Sequence, residues 1–320
     1  MAHKFINALK EGDSVRDIYL VSDKQLRKTK AGASFLVIEL TDRSGRIKGM
    51  VWDKADEFNR RCKTGDLINC QALVEPYQNE LQLKIYNLDA DVPPDVDRSH
   101  YLAHTGKDIQ LLMEELQNIL AGVKEPCFAE LIKSFMDDKQ FVEQLKNSPA
   151  AVEFHHNYIG GLLEHTVNLL QLAVQISPCY QKIIDTDLLL TGAFLHDIGK
   201  TREYEIQLAP RITDQGYLLG HTVIGVSMIE ERARNIKDFP AERLTLLKHL
   251  ISSHHGQHEF GAPVLPMTPE ALMLHYIDNL DARLGEYQAL AEKADPNANW
   301  TERSRSQERK FYKPNKNKTT

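Results

Sequence analysis

Short runs of alternating apolar and polar residues fill the first 92 residues of the chain. Alternation with a period of two is the pattern of β-strands that bury one face, and the turn sequence Asp42-Arg43-Ser44-Gly45 separates two of these runs. A short helical segment follows the third run. The predicted strands cover residues 14–29, 34–40, 46–52, 66–74 and 80–86, and the predicted helix covers residues 54–62.

From residue 107 onward, apolar residues recur at helical spacing, so the pattern predicts helices in place of strands. A proline-bearing, acidic segment precedes this region and predicts a linker. The chain ends in a basic stretch that is almost free of aliphatic residues, which predicts disorder. The predicted organisation is a β domain at residues 1–92, a linker at 93–106, an all-helical domain at 107–292 and a disordered basic tail at 293–320.

The composition indicates a cytoplasmic protein with two domains. A chain of 320 residues with 42% hydrophobic content can bury two cores. Its four cysteines show neither metal-ligand spacing nor a disulfide framework, and no signal peptide or membrane-length apolar stretch is present. The formal net charge of -6 means that local patches would have to hold a nucleic acid. We expect no membrane association, and the sequence leaves the oligomeric state open, with a homo-oligomer as one option.

Seven histidine and aspartate residues of the helical region lie at predicted helix ends or on inward faces. His196 and Asp197 follow the apolar run 188–195, and Asp278 lies inside a strongly apolar helix. Each residue alone is explained by hydrogen bonds within a core, but together they form the pattern from which metal sites in helical bundles are built. Imidazole and carboxylate groups hold divalent transition metals in hydrolytic sites. The candidate metal ligands are His165, His196, Asp197, His221, His254, His255 and Asp278.

This ordered series resembles the ligands of the HD-domain metal-dependent phosphohydrolases, in the form that houses two metal ions. The resemblance covers residues 145–292 and implies that Asp197 bridges the two ions. Two metals that share a carboxylate activate water and stabilise the attacking and leaving oxygens of a displacement at phosphorus. The implied ligands are His165, His196, Asp197 and Asp278 for one ion, and Asp197, His221, His254 and His255 for the other.

The same resemblance implies that Lys200, three residues beyond Asp197, lies near the substrate phosphate. Asp197 and Lys200 are therefore the candidate catalytic residues. The alternative for Lys200 is a solvated lysine just past a helix end. The implied cofactor is a divalent metal with two ions, for which Mn²⁺ is expected and Fe²⁺, Co²⁺ or Mg²⁺ are alternatives.

The order of elements in residues 1–92, three strands, a helix and two strands, is that of a five-stranded OB-fold β-barrel. The segment resembles the nucleic-acid-binding OB domains of transfer-RNA synthetases and polymerase subunits. Such barrels bind single strands by stacking bases on aromatic side chains and by pairing phosphates with cations. The alternative is that the aromatic residues belong to the core and the lysines to a solvated face. The candidate nucleic-acid-binding residues are Arg27, Lys28, Lys30, Phe35, Lys48, Trp52, Tyr77 and Lys84.

An OB-fold followed by this HD arrangement resembles the bacterial YhaM family of 3′→5′ exoribonucleases. The resemblance covers the full chain and implies metal-dependent hydrolysis of single-stranded RNA from the 3′ end, with release of nucleoside 5′-monophosphates. Single-stranded DNA is a second candidate substrate. The direction of attack comes from the family alone.

Two alternatives stay open at this stage. The first is hydrolysis of a nucleotide or cyclic dinucleotide with a regulatory OB domain, although the Gly-Tyr-Pro signature of the cyclic-dinucleotide group is missing after His255, where the chain reads Gly256-Gln257-His258. The second is a nucleic-acid-binding adaptor whose metal centre is structural, which the intact ligand series argues against.

Overall fold

The computed structural model describes residues 3–29, 32–77, 80–93, 96–97, 100–101, 105–150, 158–206, 210–295, 298–304 and 306–314. The chain forms two compact units, one over residues 1–104 and 206–209 and the other over residues 105–205 and 210–320. The boundary between them lies inside the predicted linker.

The first unit contains a closed β-barrel of five strands with one helix between the third and fourth strands. The elements are β1 (Ser14–Lys28), β2 (Ser34–Asp42), β3 (Gly45–Val51), α1 (Ala55–Arg61), β4 (Leu67–Tyr77) and β5 (Glu80–Asp89). The strands follow the order β1-β2-β3-β5-β4 around the barrel, and β4 pairs back with β1. β3 and β5 are parallel and the other neighbours are antiparallel. This topology confirms the predicted OB-like barrel.

Alternation along the strands fills the barrel interior. In β2, Leu36, Ile38 and Leu40 are fully buried, whereas Val37 and Glu39 between them remain partly exposed. Burial of one such aliphatic side chain contributes about 1.5–3 kcal/mol. A register shift of one residue would turn all three outward, so the pattern also determines the strand pairing.

The segment after β5 packs against the barrel over part of its length. Tyr101 is buried in a cluster with Leu20 and Leu67, and Val92 and Val96 pack on the same cluster. The prolines and acidic residues of this segment predict an extended linker. Its few apolar residues instead fasten this part to the barrel.

The second unit is helical, as predicted, and none of its described helices is long and apolar enough to cross a membrane. Two strands of three residues form a small additional sheet. They are too short to leave a periodic pattern in the sequence. The elements are α2 (Ile109–Leu120), α3 (Pro126–Met136), α4 (Lys139–Asn147), α5 (Gly161–Ile176), α6 (Thr186–Leu195), α7 (Lys200–Glu203), β6 (Tyr204–Ile206), β7 (Pro210–Ile212), α8 (Asp214–Ala233), α9 (Ala241–Ser253) and α10 (Pro269–Lys293).

Helix α6 lies at the centre of this unit. Every residue of α6 from Leu188 to Leu195 is buried, so the helix has apolar contacts on all sides. His196 and Asp197 follow directly and are themselves buried. The end of this buried part of α6 therefore delivers two polar side chains into the core.

Two glycines shape the backbone near this helix end. A Cβ at Gly199 would lie 1.9 Å from the carbonyl oxygen of His221, so only glycine permits the close approach of the two segments. Gly220 has a φ of 70° and interrupts α8, a conformation that favours glycine. The interruption places His221 at the start of the second part of α8.

The described residues of the C-terminal segment fold back on α10. The hydroxyl of Ser304 donates to Glu286 Oε1 at 2.6 Å, and the backbone N–H of Thr301 donates to the carbonyl of Phe311 at 2.9 Å. Thr301 and Ser304 are buried, and the rings of Tyr287 and Phe311 meet edge to face. This part of the tail is ordered where its low aliphatic content predicts disorder, because hydroxyl hydrogen bonds and an aromatic contact replace aliphatic burial. Residues 315–320 lie outside the described residues.

Candidate metal centre and nucleic-acid interface

The structure brings all seven candidate metal ligands together in the helical unit. They come from α5, from the ends of α6 and α9, from the interruption of α8 and from α10. Each of the five histidines directs its Nε2 atom toward the cluster. Asp197 lies in the middle.

The first group of ligand atoms surrounds Oδ2 of Asp197. His165 Nε2 lies 3.7 Å and His196 Nε2 lies 3.2 Å from this oxygen. The two Nε2 atoms are 3.2 Å apart, and Asp278 Oδ1 lies 3.2 Å from His165 Nε2. Ligands about 2.0–2.2 Å from one ion lie about 3.0–3.5 Å from each other. The spacing of this group therefore fits one metal ion.

The second group surrounds Oδ1 of Asp197. His221 Nε2 lies 3.5 Å and His254 Nε2 lies 3.7 Å from this oxygen. His255 Nε2 is 3.2 Å from His221 Nε2, and the ligand atoms of the three histidines lie within 4.8 Å of one another. Each oxygen of Asp197 thus faces its own group, which is the geometry of a bridging carboxylate.

The opposite ring nitrogen of every one of these histidines lies within 3.2 Å of a carboxylate or carbonyl oxygen. His165 Nδ1 lies 2.7 Å from Asp281 Oδ2, and His221 Nδ1 lies 3.2 Å from Glu203 Oε2. A proton held on Nδ1 leaves the Nε2 lone pair for a metal ion. All five rings are therefore held for coordination through Nε2. In the other three histidines, Nδ1 faces a backbone carbonyl oxygen: that of Ala193 for His196 at 2.9 Å, of Ile251 for His254 at 2.6 Å and of Phe260 for His255 at 2.7 Å.

Sequence reasoning missed Asp281 and Glu203. Asp281 lies three residues after Asp278 on the same face of α10, and this spacing is a signal that could have found it. Glu203 ends α7, and its local sequence does not distinguish it from a solvated glutamate. Only the tertiary contact with His221 identifies it.

Three buried side-chain atoms at or beside the centre lack a hydrogen-bond partner among the described residues: Asp197 Oδ1, His254 Nε2 and Glu203 Oε2. A buried polar atom without a partner costs about 1–3 kcal/mol, and more when it is charged. A cation within the second group would satisfy Asp197 Oδ1 and His254 Nε2. The donor set of imidazole nitrogens and carboxylate oxygens suits a first-row transition metal. The residues present therefore fit a pair of divalent ions.

The pKa shifts show that the surroundings of Asp197 and His165 favour positive charge. Burial opposes ionisation of Asp197, but Lys200 and the neighbouring imidazoles outweigh it and hold the pKa of that carboxyl well below its usual value. Burial also disfavours a charged His165, yet Asp278 and Asp281 raise the pKa of this histidine to about 10. Burial lowers the pKa of His254, which keeps its Nε2 unprotonated.

Lys200 contacts Asp197 directly. Its Nζ donates to Asp197 Oδ2 at 2.6 Å, and only 14% of its side chain is exposed. Together with His255 and Asp278, Lys200 also lines a cleft of about 420 Å³. It is thus a partly buried partner of Asp197 at the edge of the cleft, and not a solvated lysine.

Four of the candidate nucleic-acid-binding residues share one outer face of the barrel. The rings of Phe35 and Trp52 stack at 5.0 Å with an interplanar angle of 23°, and Trp52 is 50% exposed. Arg27 pairs with Phe35 across β1 and β2, and Lys84 of β5 lies opposite Met50 of β3. Exposed aromatic rings flanked by cations are the elements of a single-strand binding surface.

Tyr86 belongs to the same face and was missed by sequence reasoning. It is 57% exposed, and the Lys84 Nζ lies 5.9 Å from its ring centroid. Strand alternation could have found it, because Lys84 and Tyr86 are two residues apart. Lys28 and Lys48 are exposed on β1 and β3.

Tyr77 does not lie with these aromatic residues. It pairs with Glu80 at the turn of the β4–β5 hairpin, six residues of β5 before Tyr86. This separation corresponds to about 20 Å along a strand. Lys30 lies outside the described residues.

Two family models match the chain. Residues 162–283 match the HD domain, and residues 20–89 match an OB-fold nucleic acid binding domain. A 3′-5′ exoribonuclease YhaM from Bacillus velezensis is 33% identical over 307 residues, which cover 95% of this chain and 96% of that protein. This chain belongs to the YhaM family. YhaM proteins from Bacillus subtilis, 32% identical over 95% of this chain and 96% of theirs, and from Oceanobacillus iheyensis, 31% identical over 95% of each, show the same relation.

The match to YhaM proteins spans both units. The HD-domain match contains all seven candidate ligands, and the OB-fold match contains all eight candidate nucleic-acid-binding residues. The two sites described above therefore lie within the two matched domains.

Proposed function

We propose that this YhaM-family chain is a metal-dependent 3′→5′ exoribonuclease that hydrolyses single-stranded RNA and releases nucleoside 5′-monophosphates. The observation that carries the proposal is that each oxygen of Asp197 faces its own set of histidine Nε2 atoms. Phosphoester hydrolysis is the chemistry that such a site supports. The direction of attack comes from the YhaM relatives.

The proposed cofactor is a pair of divalent ions, with Mn²⁺ as the first choice and Fe²⁺, Co²⁺ or Mg²⁺ as alternatives. A set rich in imidazole favours transition metals over Mg²⁺. When bound, two such ions activate water and stabilise charge on the attacking and leaving oxygens of the phosphodiester. The proposed ligands are His165, His196, Asp197 and Asp278 for one ion, and Asp197, His221, His254 and His255 for the other.

The protein itself supplies orientation and charge. Asp281 and Glu203 orient the rings of two ligands, and Lys200 holds Asp197 in place. Because Lys200 also lines the cleft, we assign to its ammonium group a contact with the substrate phosphate. Asp197 and Lys200 are the proposed catalytic residues.

The barrel is proposed to hold the strand. Bases would stack on Phe35, Trp52 and Tyr86, and phosphates would meet the cations that surround them. Single-stranded DNA offers the same bases and phosphates and is a second candidate substrate. The four cysteines, all within described segments, are free thiols, which agrees with a cytoplasmic location. The proposed phosphate-binding cations are Arg27, Lys28, Lys48 and Lys84.

A single experiment tests the function. Protein supplied with Mn²⁺ is incubated with a 5′-labelled single-stranded RNA, the matching duplex and a panel of nucleotides and cyclic dinucleotides. We expect a ladder that shortens from the 3′ end of the single strand, and no ladder with Asp197→Ala. Hydrolysis of the small molecules alone would overturn the proposal in favour of the nucleotide-hydrolase alternative, which the YhaM relatives do not favour.

A further inference from the structure

The cleft beside the metal ligands has a wall that the proposed function does not use. Helix α10 and the C-terminal segment form this wall together. A single strand that enters the cleft to reach the metal ligands would pass along it. The residues of the wall are Asn279, Ala282, Arg283, Glu286, Ser306 and Gln307.

Among the described residues of this wall, Arg283 is a cation without a carboxylate partner. Its Nε donates to the side-chain oxygen of Asn279, and its Nη1 donates to Gln307 Oε1 at 3.4 Å. Both partners are neutral amides, and no carboxylate among the described residues forms an ion pair with Arg283. Arg243, in contrast, is paired with Glu125 and Asp185. A guanidinium has five N–H donors, so Arg283 keeps most of them for an anion.

The C-terminal segment explains why the nearby carboxylate does not neutralise Arg283. Glu286 accepts hydrogen bonds from Ser304 at 2.6 Å, from Gln307 at 3.0 Å and from Ser306. Gln307 Nε2 also lies 3.3 Å from the carbonyl oxygen of Arg283. Neutral donors of the tail thus occupy Glu286, and the amide oxygen of Gln307 holds the guanidinium at the cleft.

We propose that Arg283 binds the phosphate one linkage to the 5′ side of the scissile phosphodiester, and that Gln307 positions it for this contact. The proposal rests on the exoribonuclease function. Arg283 follows the candidate metal ligand Asp278 by five residues, which is about 7.5 Å along the helix axis and about 140° around it. Both residues line the same cleft, so a strand with its scissile phosphate at the metal ligands can bring its next phosphate to the guanidinium. A terminal nucleotide with a free 3′-hydroxyl has no phosphate beyond the scissile one, so the next phosphate lies upstream.

A measurable consequence is that the contribution of Arg283 depends on substrate length. The dinucleotide ApA, with a 5′-hydroxyl, has only the scissile phosphate. The trinucleotide ApApA and the 5′-phosphorylated dinucleotide pApA each have one more phosphate upstream. Only the latter two substrates can contact Arg283.

The test compares kcat/KM on these three substrates with Mn²⁺ for the full chain and four variants. Arg283→Gln is expected to lose about 10- to 100-fold on ApApA and pApA, as for a charge-assisted bond, and less than about twofold on ApA. Arg283→Lys should recover part of the loss, because the positive charge remains but the planar N–H donors of the guanidinium are lost. Gln307→Ala should show the same dependence on length with a smaller loss. Arg303→Gln, an exposed arginine of the same tail, is the matched control and should behave like the parent chain.

The ratio of kcat/KM for ApApA to that for ApA does not depend on the fraction of folded enzyme. A ratio that Arg283→Gln leaves unchanged would overturn the proposal, whether both substrates are affected equally or not at all. A loss on ApApA without a loss on pApA would also overturn it, since Arg283 would then recognise a nucleoside and not a phosphate. If the parent chain cleaves none of the three but hydrolyses other nucleotides, the proposed function itself fails.

Discussion

The barrel and the helical unit distribute their polar groups in opposite ways. The described barrel strands bury mainly aliphatic side chains such as Leu36 and Ile38 and carry the proposed binding residues on the outer face. The helical unit buries ionisable groups, including His165 and Asp197, in the middle of its core. The proposed metal centre therefore lies inside the helical unit, whereas the proposed RNA-binding residues lie on the surface of the barrel.

This difference follows from the free energy of burial. A buried charge costs several kcal/mol unless a counter-charge is near, so a buried cluster of histidines and aspartates indicates that something compensates it. An exposed aromatic residue such as Trp52 costs little, since much of a protein surface is apolar. A buried polar cluster is consequently a stronger sign of function than an exposed aromatic side chain.

The largest expected effect tests whether the two sets of ligands around Asp197 hold two separate ions. His196→Ala and His221→Ala should each lower kcat on single-stranded RNA by about 1000-fold, because each removes a ligand from one half of the metal pair. Metal analysis by mass spectrometry should show one bound ion in place of two. His258→Ala, an exposed histidine in the same unit, should keep both ions. Two ions retained in both ligand variants would contradict the assignment of ligands.

A second prediction contrasts the two units by metal removal. At a free metal concentration 100 times the dissociation constant, each ion should stabilise the helical unit by about 2.7 kcal/mol. Hydrogen exchange should therefore slow in α5, α6 and α9 when metal is added, and stay unchanged in β2 to β5. Asp197→Ala should abolish the change. Equal protection of the barrel strands would show that the two units do not respond separately.

A third prediction concerns Asp281, which sequence reasoning missed. Asp281→Asn should weaken metal binding by about 10- to 100-fold, because it loosens the orientation of the His165 ring. Titration calorimetry measures the affinity, and excess metal should restore activity. Asp214→Asn, an exposed aspartate at the start of α8, is the control. If activity stays low at saturating metal, Asp281 has a role beyond orienting the ligand.

The smallest expected effect concerns the barrel face. Trp52→Ala should weaken binding of single-stranded RNA by about 1–3 kcal/mol, the contribution of one base stack. Tyr77→Ala should change it by less than about 0.5 kcal/mol, because Tyr77 lies at the far end of the hairpin. Fluorescence anisotropy in an inactive His196→Ala background measures both. Equal losses would show that the binding surface extends along the whole barrel.

Periodicity was sufficient to predict most of the fold. Alternation placed the five strands, and helical spacing placed the helices that carry the ligands, because both patterns record which face is buried. The β6–β7 sheet and the ordered tail did not follow from periodicity. Three-residue strands leave too short a pattern, and the tail is held by hydroxyl contacts to Glu286 that composition does not reveal.

By itself, the sequence determined the residue types and the order of the candidate ligands, and from these the class of metal chemistry and the two-domain plan. Tertiary structure decided which atoms meet: that each oxygen of Asp197 faces a separate group, that Asp281 and Glu203 orient two rings, and that Gln307 holds Arg283 at the cleft. Ligand identity is a property of single residues, whereas coordination and orientation depend on contacts between residues far apart in the chain. Only folding creates those contacts.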